Sequence, residues 1–257
     1  GMDQVHRAVA DAAGATVVMT GGDDTSTGSK WEAFSLDSLD AAFSGYEKYG
    51  VAGNHDFGGF VPQRLADAGW TMLDLDVIDG PGGSAILGVD DPRSSGLGAW
   101  RESMSVSFAE VEHQVAEVAC GSERRVATLL VHDSNLGREA LARGCADLVV
   151  GGHVHVRVGP NLVTGDNGAI GYSYINGTSG GAAYAIALGK TRREATSTLI
   201  TYRDGRPVGL QWVVMQTNNQ FEVGDYIELV YAQEELATHP ELTHPPEPTP
   251  EAPEESP

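Results

Sequence analysis

The sequence predicts an α/β protein in which alternating strands and helices come first and a mostly-β part follows. In the first 150 residues, short apolar runs alternate with stretches of helical periodicity. Beyond residue 156 the helical periodicity fades, and strand-like runs follow one another with Gly-rich turns between several of them. The length of 257 residues and the hydrophobic fraction of 41% suit one large domain or two small ones with a substantial core.

The N-terminal part begins with a helix predicted over residues 2–13, whose apolar residues recur at helical spacing and after which Gly14 is a good stop. Residues 16–19 are predicted as a short buried strand that leads into the Gly- and Asp-rich loop of residues 20–28. The second helix is predicted over residues 31–43. Its candidate core residues are Trp31, Phe34, Leu39 and Phe43.

The remaining elements follow in order. After a strand at residues 49–52 and a helix at 61–68, strands are predicted at 71–75, 77–78 and 84–89. Turn residues then interrupt the pattern at Asp90-Asp91-Pro92-Arg93. Helices at 108–118 and 138–143 flank a strand at 126–131, and a strand at 148–150 comes next. The later strands are predicted at 156–163, 172–176, 182–188, 197–202, 208–216 and 221–230.

The chain is acidic, and its charge is unevenly distributed. The formal net charge is −20, and the last 24 residues hold seven Glu, seven Pro and no Lys or Arg. Because such a segment cannot bury enough apolar area to fold, we expect one domain at residues 1–233 and a disordered acidic tail at residues 234–257. The scarcity of bases argues against a nucleic-acid polymer as partner, since a phosphate backbone is bound by clustered Lys and Arg.

Two cysteines, Cys120 and Cys145, each lie a few residues before a predicted strand. Neighbouring parallel strands would bring them to the same edge of a sheet, where a disulfide is geometrically possible. Two buried free thiols are the usual arrangement in a cytosolic protein. The sequence leaves both arrangements open, and the disulfide requires an oxidising compartment.

Residue types that bind metals follow four of the predicted strands. They are Asp23, the Asn54-His55 pair of Gly53-Asn54-His55-Asp56, His132, and the His153-x-His155 pair. Because α/β sheets place ligand sites at the carboxyl ends of their strands, we expect these side chains to converge. Imidazole nitrogens combined with Asp and Asn oxygens favour Mn, Fe(II), Zn or Co over Ca or Mg alone. A carboxylate can also bridge two ions about 3.5–4 Å apart, the arrangement that serves displacement at phosphorus.

Each of these residues has an ordinary structural interpretation as well. Asp23 could cap a helix, and His132 could be a hydrogen-bonded core residue. The residues at 153 and 155 could be the polar face of an alternating strand, or, being two apart in an extended segment, could both point toward one or two ions. The Asn54-His55-Asp56 triplet could be a surface turn. The metal interpretation is favoured because all four segments follow predicted strands.

Together these motifs closely resemble those of the calcineurin-like metallophosphoesterase family. The resemblance covers residues 1–217 through Gly22-Asp23, Gly53-Asn54-His55-Asp56, His132 and Gly152-His153-Val154-His155, in the family's order. The turn at residues 90–93 and the run Asn176-Gly177-Thr178-Ser179-Gly180-Gly181 are similar to a bacterial, actinobacterial branch. The resemblance implies a four-layer α/β/β/α sandwich with two mixed sheets and a cleft for two divalent metal ions at strand ends.

The resemblance also implies which residues bind the metals. Asp23 would bridge the two ions. One site would be completed by Asn54, His132 and His153, and His155 would bind the ion of the other site. The metals would be Mn, Fe, Zn or Co.

For catalysis, the resemblance implies a hydroxide bound between the two ions as nucleophile. His55 would hold the developing oxyanion and protonate the leaving group, with Asp56 orienting its ring. Asn54 and His55 would also contact the substrate phosphate. Asp91 and Arg93 could line the substrate pocket or belong to its rim.

One motif of the family is missing. The family opens with a strand that ends in Asp-x-His, and no Asp-x-His occurs before Gly22. Asp3 and His6 have the wrong spacing and lie on the predicted first helix. We therefore expect an N-terminally truncated domain that binds one metal ion well and the other poorly, with weak or no activity.

The expected function is hydrolysis of a phosphate mono- or diester, and the alternative is a catalytically silent domain of the same fold that binds a metal or a phosphorylated ligand. Members of the branch commonly place this domain outside the membrane after N-terminal transmembrane helices. No apolar run of about 18 residues occurs here, so the chain would reach a membrane only through segments it does not contain. We expect the extracytoplasmic face of the cell membrane, with the cytoplasm as the alternative.

Overall fold

A computed structural model of the chain describes residues 2–96, 99–102, 106–180 and 194–243. In chain order the helices of these residues are α1 (Met2–Ala12), α2 (Ala33–Ala42), α3 (Phe60–Asp67), α4 (Phe108–Gly121), α5 (Arg138–Ala142) and α6 (Pro240–Thr243). The strands are β1 (Val17–Thr20), β2 (Glu47–Gly50), β3 (Thr71–Met72), β4 (Ile78–Asp79), β5 (Ala85–Val89), β6 (Arg93–Gly96), β7 (Ala99–Glu102), β8 (Val126–Val131), β9 (Ala146–Gly151), β10 (Val158–Thr164), β11 (Ile170–Ile175), β12 (Ala195–Arg203), β13 (Arg206–Met215), β14 (Phe221–Val223) and β15 (Ile227–Glu228).

The strands within these ranges form three sheets and a hairpin. The largest sheet has the order β10-β11-β9-β8-β5-β4, with parallel pairing from β11 to β5 and antiparallel pairing at both outer strands. A parallel sheet has the order β1-β2-β3, and an antiparallel sheet contains β12, β13, β14 and β15. The α/β class with a mixed sheet is therefore observed. Opposite that sheet, the described residues form the parallel β1–β3 group and the antiparallel β12–β15 group, and their union in one second mixed sheet stays a prediction.

One face of the six-stranded sheet packs against α4 and α5. Leu129 and Val131, at alternate positions of β8, lie in one buried cluster with Val111 and Val115 of α4. A capping box starts α4: the Ser107 hydroxyl accepts a hydrogen bond from the backbone of residue 110, and the side chain there accepts one from the Ser107 backbone. Strand β8 is buried at all six positions because both of its faces are covered, which explains its continuous apolar sequence.

The opposite face of the same sheet carries the two smaller sheets. Leu130 of β8 and Ile86 of β5 are buried with Tyr49 of β2, next to the three-stranded sheet. Tyr172 of β11 is buried with Leu210 of β13, in the antiparallel sheet. On its outer side, the three-stranded sheet contacts α2 and α3 through buried apolar residues. These residues include Leu36, Val61 and Leu65, packed against Val18 of β1.

The second helix differs from its prediction. It begins at Ala33, after a 3-10 turn at Lys30–Glu32, so the apolar residues of the predicted first turn do not reach the core. Trp31 is 90% exposed and Phe34 is 73% exposed, and both were wrong as core candidates. Phe43 is buried, and Leu39 packs partly buried against the α2–α3 cluster.

The disulfide is the arrangement that the structure adopts. Cys120, at the end of α4, is bonded to Cys145, just before β9, with their Cα atoms 5.0 Å apart. Cys145 packs against the buried cluster beneath α4 and α5. The bond therefore links the end of α4 to the start of β9, an inner strand of the six-stranded sheet.

The start of the predicted tail is ordered. Residues 236–243 form a 3-10 turn and α6, and Leu242 is buried against the cluster that contains Tyr172. Leu236 packs against the same cluster, so two apolar side chains of the predicted tail contact the folded domain. Disorder of the tail as a whole stays a prediction. The rest of that segment and the strand predicted at 182–188 lie outside the described residues. None of the helices described is long and apolar enough to cross a bilayer.

Candidate metal centre

Four loops meet where parallel strands of two different sheets end. The loop after β1 carries Asp23, and the loop after β2 carries Asn54, both from the three-stranded sheet. His132 follows β8 and His153 follows β9, both from the six-stranded sheet. The face-to-face packing of the two sheets thus brings together side chains that are more than 20 residues apart in the chain.

His132 lies at the centre of this group. Its Nε2 atom is 2.8 Å from Asn54 Oδ1, 3.1 Å from His153 Nδ1 and 3.3 Å from Asp23 Oδ2. One ligand atom from each of Asp23, His132 and His153 lies within 4.8 Å of the other two. His132 is 1% exposed and Asn54 is 2% exposed, so the group is closed to bulk water on the side of these residues.

The hydrogen-bonding pattern shows that these atoms can hold a cation between them. The Nδ1 atom of His132 lies 2.7 Å from the carbonyl oxygen of Gly21, which can only accept, so Nδ1 carries the hydrogen. In a neutral imidazole, Nε2 then presents a lone pair, and it faces the lone pairs of Asn54 Oδ1 and Asp23 Oδ2. Either a proton on Nε2 or a divalent metal ion relieves this repulsion. The residues present therefore fit a metal ion.

The pKa values of the three titratable members are coupled through charge. Burial raises the pKa of Asp23, but the hydrogen bond and charge of His132 outweigh this and hold it below its usual value. Burial lowers the pKa of His132, but Asp23 outweighs this and raises it. Burial and the charge of His132 both lower the pKa of His153, which keeps that ring neutral and able to bind a metal.

The surroundings of the centre are strongly negative. Burial, followed by the charge of Asp56, raises the pKa of Asp24 to about 7. Burial also raises the pKa of Asp90 to about 6, although its carboxylate accepts a hydrogen bond of 2.6 Å from the backbone of Ala52. Several carboxylates thus lie close together in a partly dry environment, and a bound cation would lower the electrostatic cost of their charges.

Two glycines allow the first two loops to touch. Gly22 has a φ of +87°, and a Cβ atom there would lie 2.2 Å from the backbone nitrogen of Gly53. A Cβ atom on Gly53 would in turn lie 2.2 Å from Oδ1 of Asp23. Both positions therefore require glycine for Asp23 and Asn54 to approach each other.

His55 and Asp56 take positions that differ from the predicted pairing. The ring of His55 has Nδ1 at 3.0 Å from the carbonyl oxygen of Ser26, and its backbone N–H donates to Asp23 Oδ1 at 2.9 Å. The carboxylate of Asp56 instead accepts from the backbone N–H groups of residues 23, 24, 25 and 53 and from the hydroxyl of Thr25. The prediction that Asp56 orients the ring of His55 is wrong, because these donors occupy both of its oxygens. Ser26 holds the ring in its place.

Asp91 and Arg93, predicted either to line the substrate pocket or to belong to its rim, form an ion pair. Both are buried, and Arg93 donates to Asp91 at 2.6–2.9 Å and to Asp133 at 2.9 Å. The guanidinium of Arg93 also stacks on the ring of Phe108 at 4.4 Å. The guanidinium of Arg93 is thus paired with two carboxylates. The sequence predicts only a turn at residues 90–93, and it gives no sign of the β6–β7 hairpin that carries Arg93.

His155 does not share the environment of the other predicted ligands. It is exposed, and it is not a member of the metal-ligand group found among the described residues. Asp23, His153 and His155 all have positive φ values, of 60°, 67° and 60°. The binding of a second ion by Asp23 and His155 stays a prediction.

No protein-family model and no curated protein matches the chain, but solved structures of similar fold are found. One similar solved structure is the sulfate thiohydrolase SoxB of Thermus thermophilus in complex with glycerol, with 16% identity and a TM-score of 0.48 over 93% of this chain and 45% of that one. Another is the protein TT1561, also of Thermus thermophilus, with 11% identity and a TM-score of 0.49 over 87% of this chain and 92% of that one. The chain spans less than half the length of SoxB, and scores below 0.5 at these identities carry no conclusion about activity.

Proposed function

We propose that the protein is a metal-dependent hydrolase of phosphate mono- or diesters, with the four-layer fold of the calcineurin-like metallophosphoesterases. The observation that carries this proposal is the convergence of Asp23, Asn54 and His153 on Nε2 of His132, an arrangement of ligand atoms that fits a metal ion. The packing of α4 and α5, the six-stranded sheet, the three-stranded sheet, and α2 with α3 supports the order of the layers.

Four residues of the centre would hold the metal ion, and His55 would donate a proton. Asp23, Asn54, His132 and His153 would hold a Mn, Fe, Zn or Co ion. When bound, such an ion lowers the pKa of water and neutralises charge on a phosphate oxygen. Nδ1 of His55 faces the accepting carbonyl oxygen of Ser26 and so carries a hydrogen. In the imidazolium form the ring also carries a hydrogen on Nε2, and this is the proton that His55 would donate to the leaving oxygen.

The charge of the site supports a phosphate substrate only if cations are present. Asp24, Asp56 and Asp90 lie in or next to the loops that form the centre, and the buried guanidinium of Arg93 already pairs with two carboxylates. A phosphate ester would therefore be repelled in the absence of metal. Activity should depend on added Mn²⁺ and be lost in a chelator.

A second candidate function is a catalytically silent domain that binds a metal ion or a phosphorylated ligand. One observation favours it: among the described residues, one group of three possible metal ligands lies close together, and His155 is not a member of it. Such a domain would bind one ion per chain and hydrolyse no ester.

The test is Mn²⁺-dependent hydrolysis of an aryl phosphodiester compared with the aryl monoester. His55→Ala should retain Mn²⁺ binding and lose at least about 99% of kcat, since general acid–base groups typically contribute 10²–10⁴-fold. His113→Ala, on the exposed face of α4 beside Glu139, is the matched control and should keep wild-type activity. Metal binding without turnover in the wild type would favour the silent domain, and no metal binding at all would refute the hydrolase and the metal-binding form of the silent domain.

We also propose that the domain works in an oxidising compartment, at the extracytoplasmic face of the cell membrane. The Cys120–Cys145 bond supports this, because disulfides persist mainly outside the cytosol. The test is alkylation of free thiols in acid-quenched cells before lysis. Unmodified cysteines are expected, and full alkylation of Cys120 and Cys145 would favour the cytoplasm.

A further inference from the structure

We propose that Ser95 is a positioning residue that fixes the orientation of the Asn54 amide for metal binding. This inference rests on the proposed function, since it concerns the same metal centre. Ser95 lies on β6, in the hairpin that no sequence motif indicated. Its hydroxyl oxygen accepts a hydrogen bond from Nδ2 of Asn54, and its backbone N–H donates to the Asn54 carbonyl oxygen at 2.8 Å.

The orientation of this amide decides whether Asn54 helps or opposes metal binding. A carboxamide has one oxygen that can bind a cation and one NH₂ group that cannot. In the structure, Oδ1 faces Nε2 of His132 at 2.8 Å and Nδ2 points away to Ser95. If the amide turned over, Nδ2 would donate to the lone pair of Nε2, which is a favourable hydrogen bond in the metal-free protein. Ser95 opposes this turn by accepting the N–H on the far side.

The strand that carries Ser95 is firmly held between the two metal-ligand loops. Arg93, two residues earlier and so on the same face of β6, binds Asp91 and Asp133, and Asp133 directly follows His132. The backbone N–H of Asp91 donates to the carbonyl oxygen of Ala52 at 2.9 Å, two residues before Asn54. The buried segment of residues 91–95 thus links the Asn54 loop to the His132 loop. This attachment gives the hydroxyl of Ser95 a fixed position.

The decisive variant is Ser95→Ala, which removes the hydroxyl and leaves the backbone hydrogen bond to Asn54 in place. The affinity for Mn²⁺ alone, measured by calorimetry on the full chain, should fall about tenfold or more, the usual effect of removing a partner of a metal ligand. Ser94→Ala makes the same change on the opposite face of β6 and should bind Mn²⁺ like the wild type. Ser95→Thr keeps a hydroxyl and should restore most of the affinity.

The same Ser95→Ala change made in an Asn54→Asp variant distinguishes a positioning role of Ser95 from a general packing role. Asn54→Asp replaces the amide by a carboxylate, which presents an oxygen whichever way it turns. In that background, Ser95→Ala should change the Mn²⁺ affinity by less than about threefold, whereas a general packing defect would reduce it as much as in the wild type. An equal loss in both backgrounds, or wild-type affinity of Ser95→Ala, would overturn the role of Ser95 and leave the proposed function standing. A wild-type chain that binds no Mn²⁺ would overturn the proposed function and this inference together.

Discussion

Asp56 is expected to stabilise the fold by holding the metal-ligand loops, and its removal tests this directly. Its carboxylate is 1% exposed and accepts five hydrogen bonds of 2.6–3.2 Å, four from backbone N–H groups and one from the hydroxyl of Thr25. Burial raises the pKa of Asp56, and the hydrogen bonds from Thr25 and Gly53 oppose that rise. Asp56→Ala would leave these donors buried without a partner.

The size of the effect follows from the number and burial of the donors. A hydrogen bond to a charged group contributes about 1.5–3 kcal/mol, but five bonds to one carboxylate do not add, and water can enter the vacated space. We therefore expect Asp56→Ala to lower the free energy of unfolding by about 3–5 kcal/mol, as for other buried charges that lose their partner. Asp56→Asn keeps the shape but offers only one oxygen, so it should lower the free energy by about 2–4 kcal/mol.

The assay is urea unfolding at pH 7 in a chelator, so that bound metal does not contribute to stability. Asp67→Asn, on the exposed surface of α3, is the matched control and should change the free energy by less than about 0.5 kcal/mol. For a chain of this size, the loss at Asp56 corresponds to a fall in Tm of about 6–20 °C. An unchanged urea midpoint for Asp56→Ala would refute the assignment of its five hydrogen bonds.

Two further predictions concern the disulfide and the pH dependence of stability. Reduction of the Cys120–Cys145 bond, which closes a separation of 25 residues, should lower the free energy of unfolding by about 3 kcal/mol. A reductant should leave the double Ser variant unchanged, and an equal shift in that variant would contradict the prediction. The raised pKa of Asp90, about 6, means that the folded state holds this proton more strongly than the unfolded state, so stability is lost as pH rises from about 4 through 6. Asp90→Asn should therefore stabilise the protein by up to roughly 3 kcal/mol at pH 7.5 and by nothing below pH 4, and a gain independent of pH would refute the assignment.

The sequence predicts elements best where burial is uniform. Strand β8 was predicted at its observed bounds, because both of its faces are covered and its sequence is apolar throughout. The β6–β7 hairpin was missed because its first strand, Arg-Ser-Ser-Gly, has no apolar alternation and is buried through ion pairs and hydrogen bonds instead. The division of the strands into three sheets depends on pairing between distant segments, which no local pattern records.

The sequence predicts which metal-binding residue types meet at the candidate site, but it does not predict the hydrogen bonds that hold them there. Asp23, Asn54, His132 and His153 converge as expected, because each ends a strand and the strands run parallel within their sheets. Their role as ligands stays a prediction. The partners that support them, Gly21 and Ser95, could not be found from the sequence, since a backbone carbonyl and a lone serine carry no motif.

The backbone conformation after β9 explains why the extended-strand pattern does not describe His153 and His155. Residues two apart point the same way only in extended backbone. After β9 the chain leaves that conformation, and both His153 and His155 have φ values near +60°, which non-glycine residues adopt at an energetic cost. His153 lies beside His132, with the ring centroids 5.0 Å apart, whereas His155 is exposed. Asp23 also has a positive φ, and such strain persists only where the surrounding contacts enforce it, which here are the hydrogen bonds of Asp56 and the close approach of Gly53. Two of the proposed ligands, Asp23 and His153, therefore have strained backbone, and the extended-strand pattern does not apply at His153 for that reason.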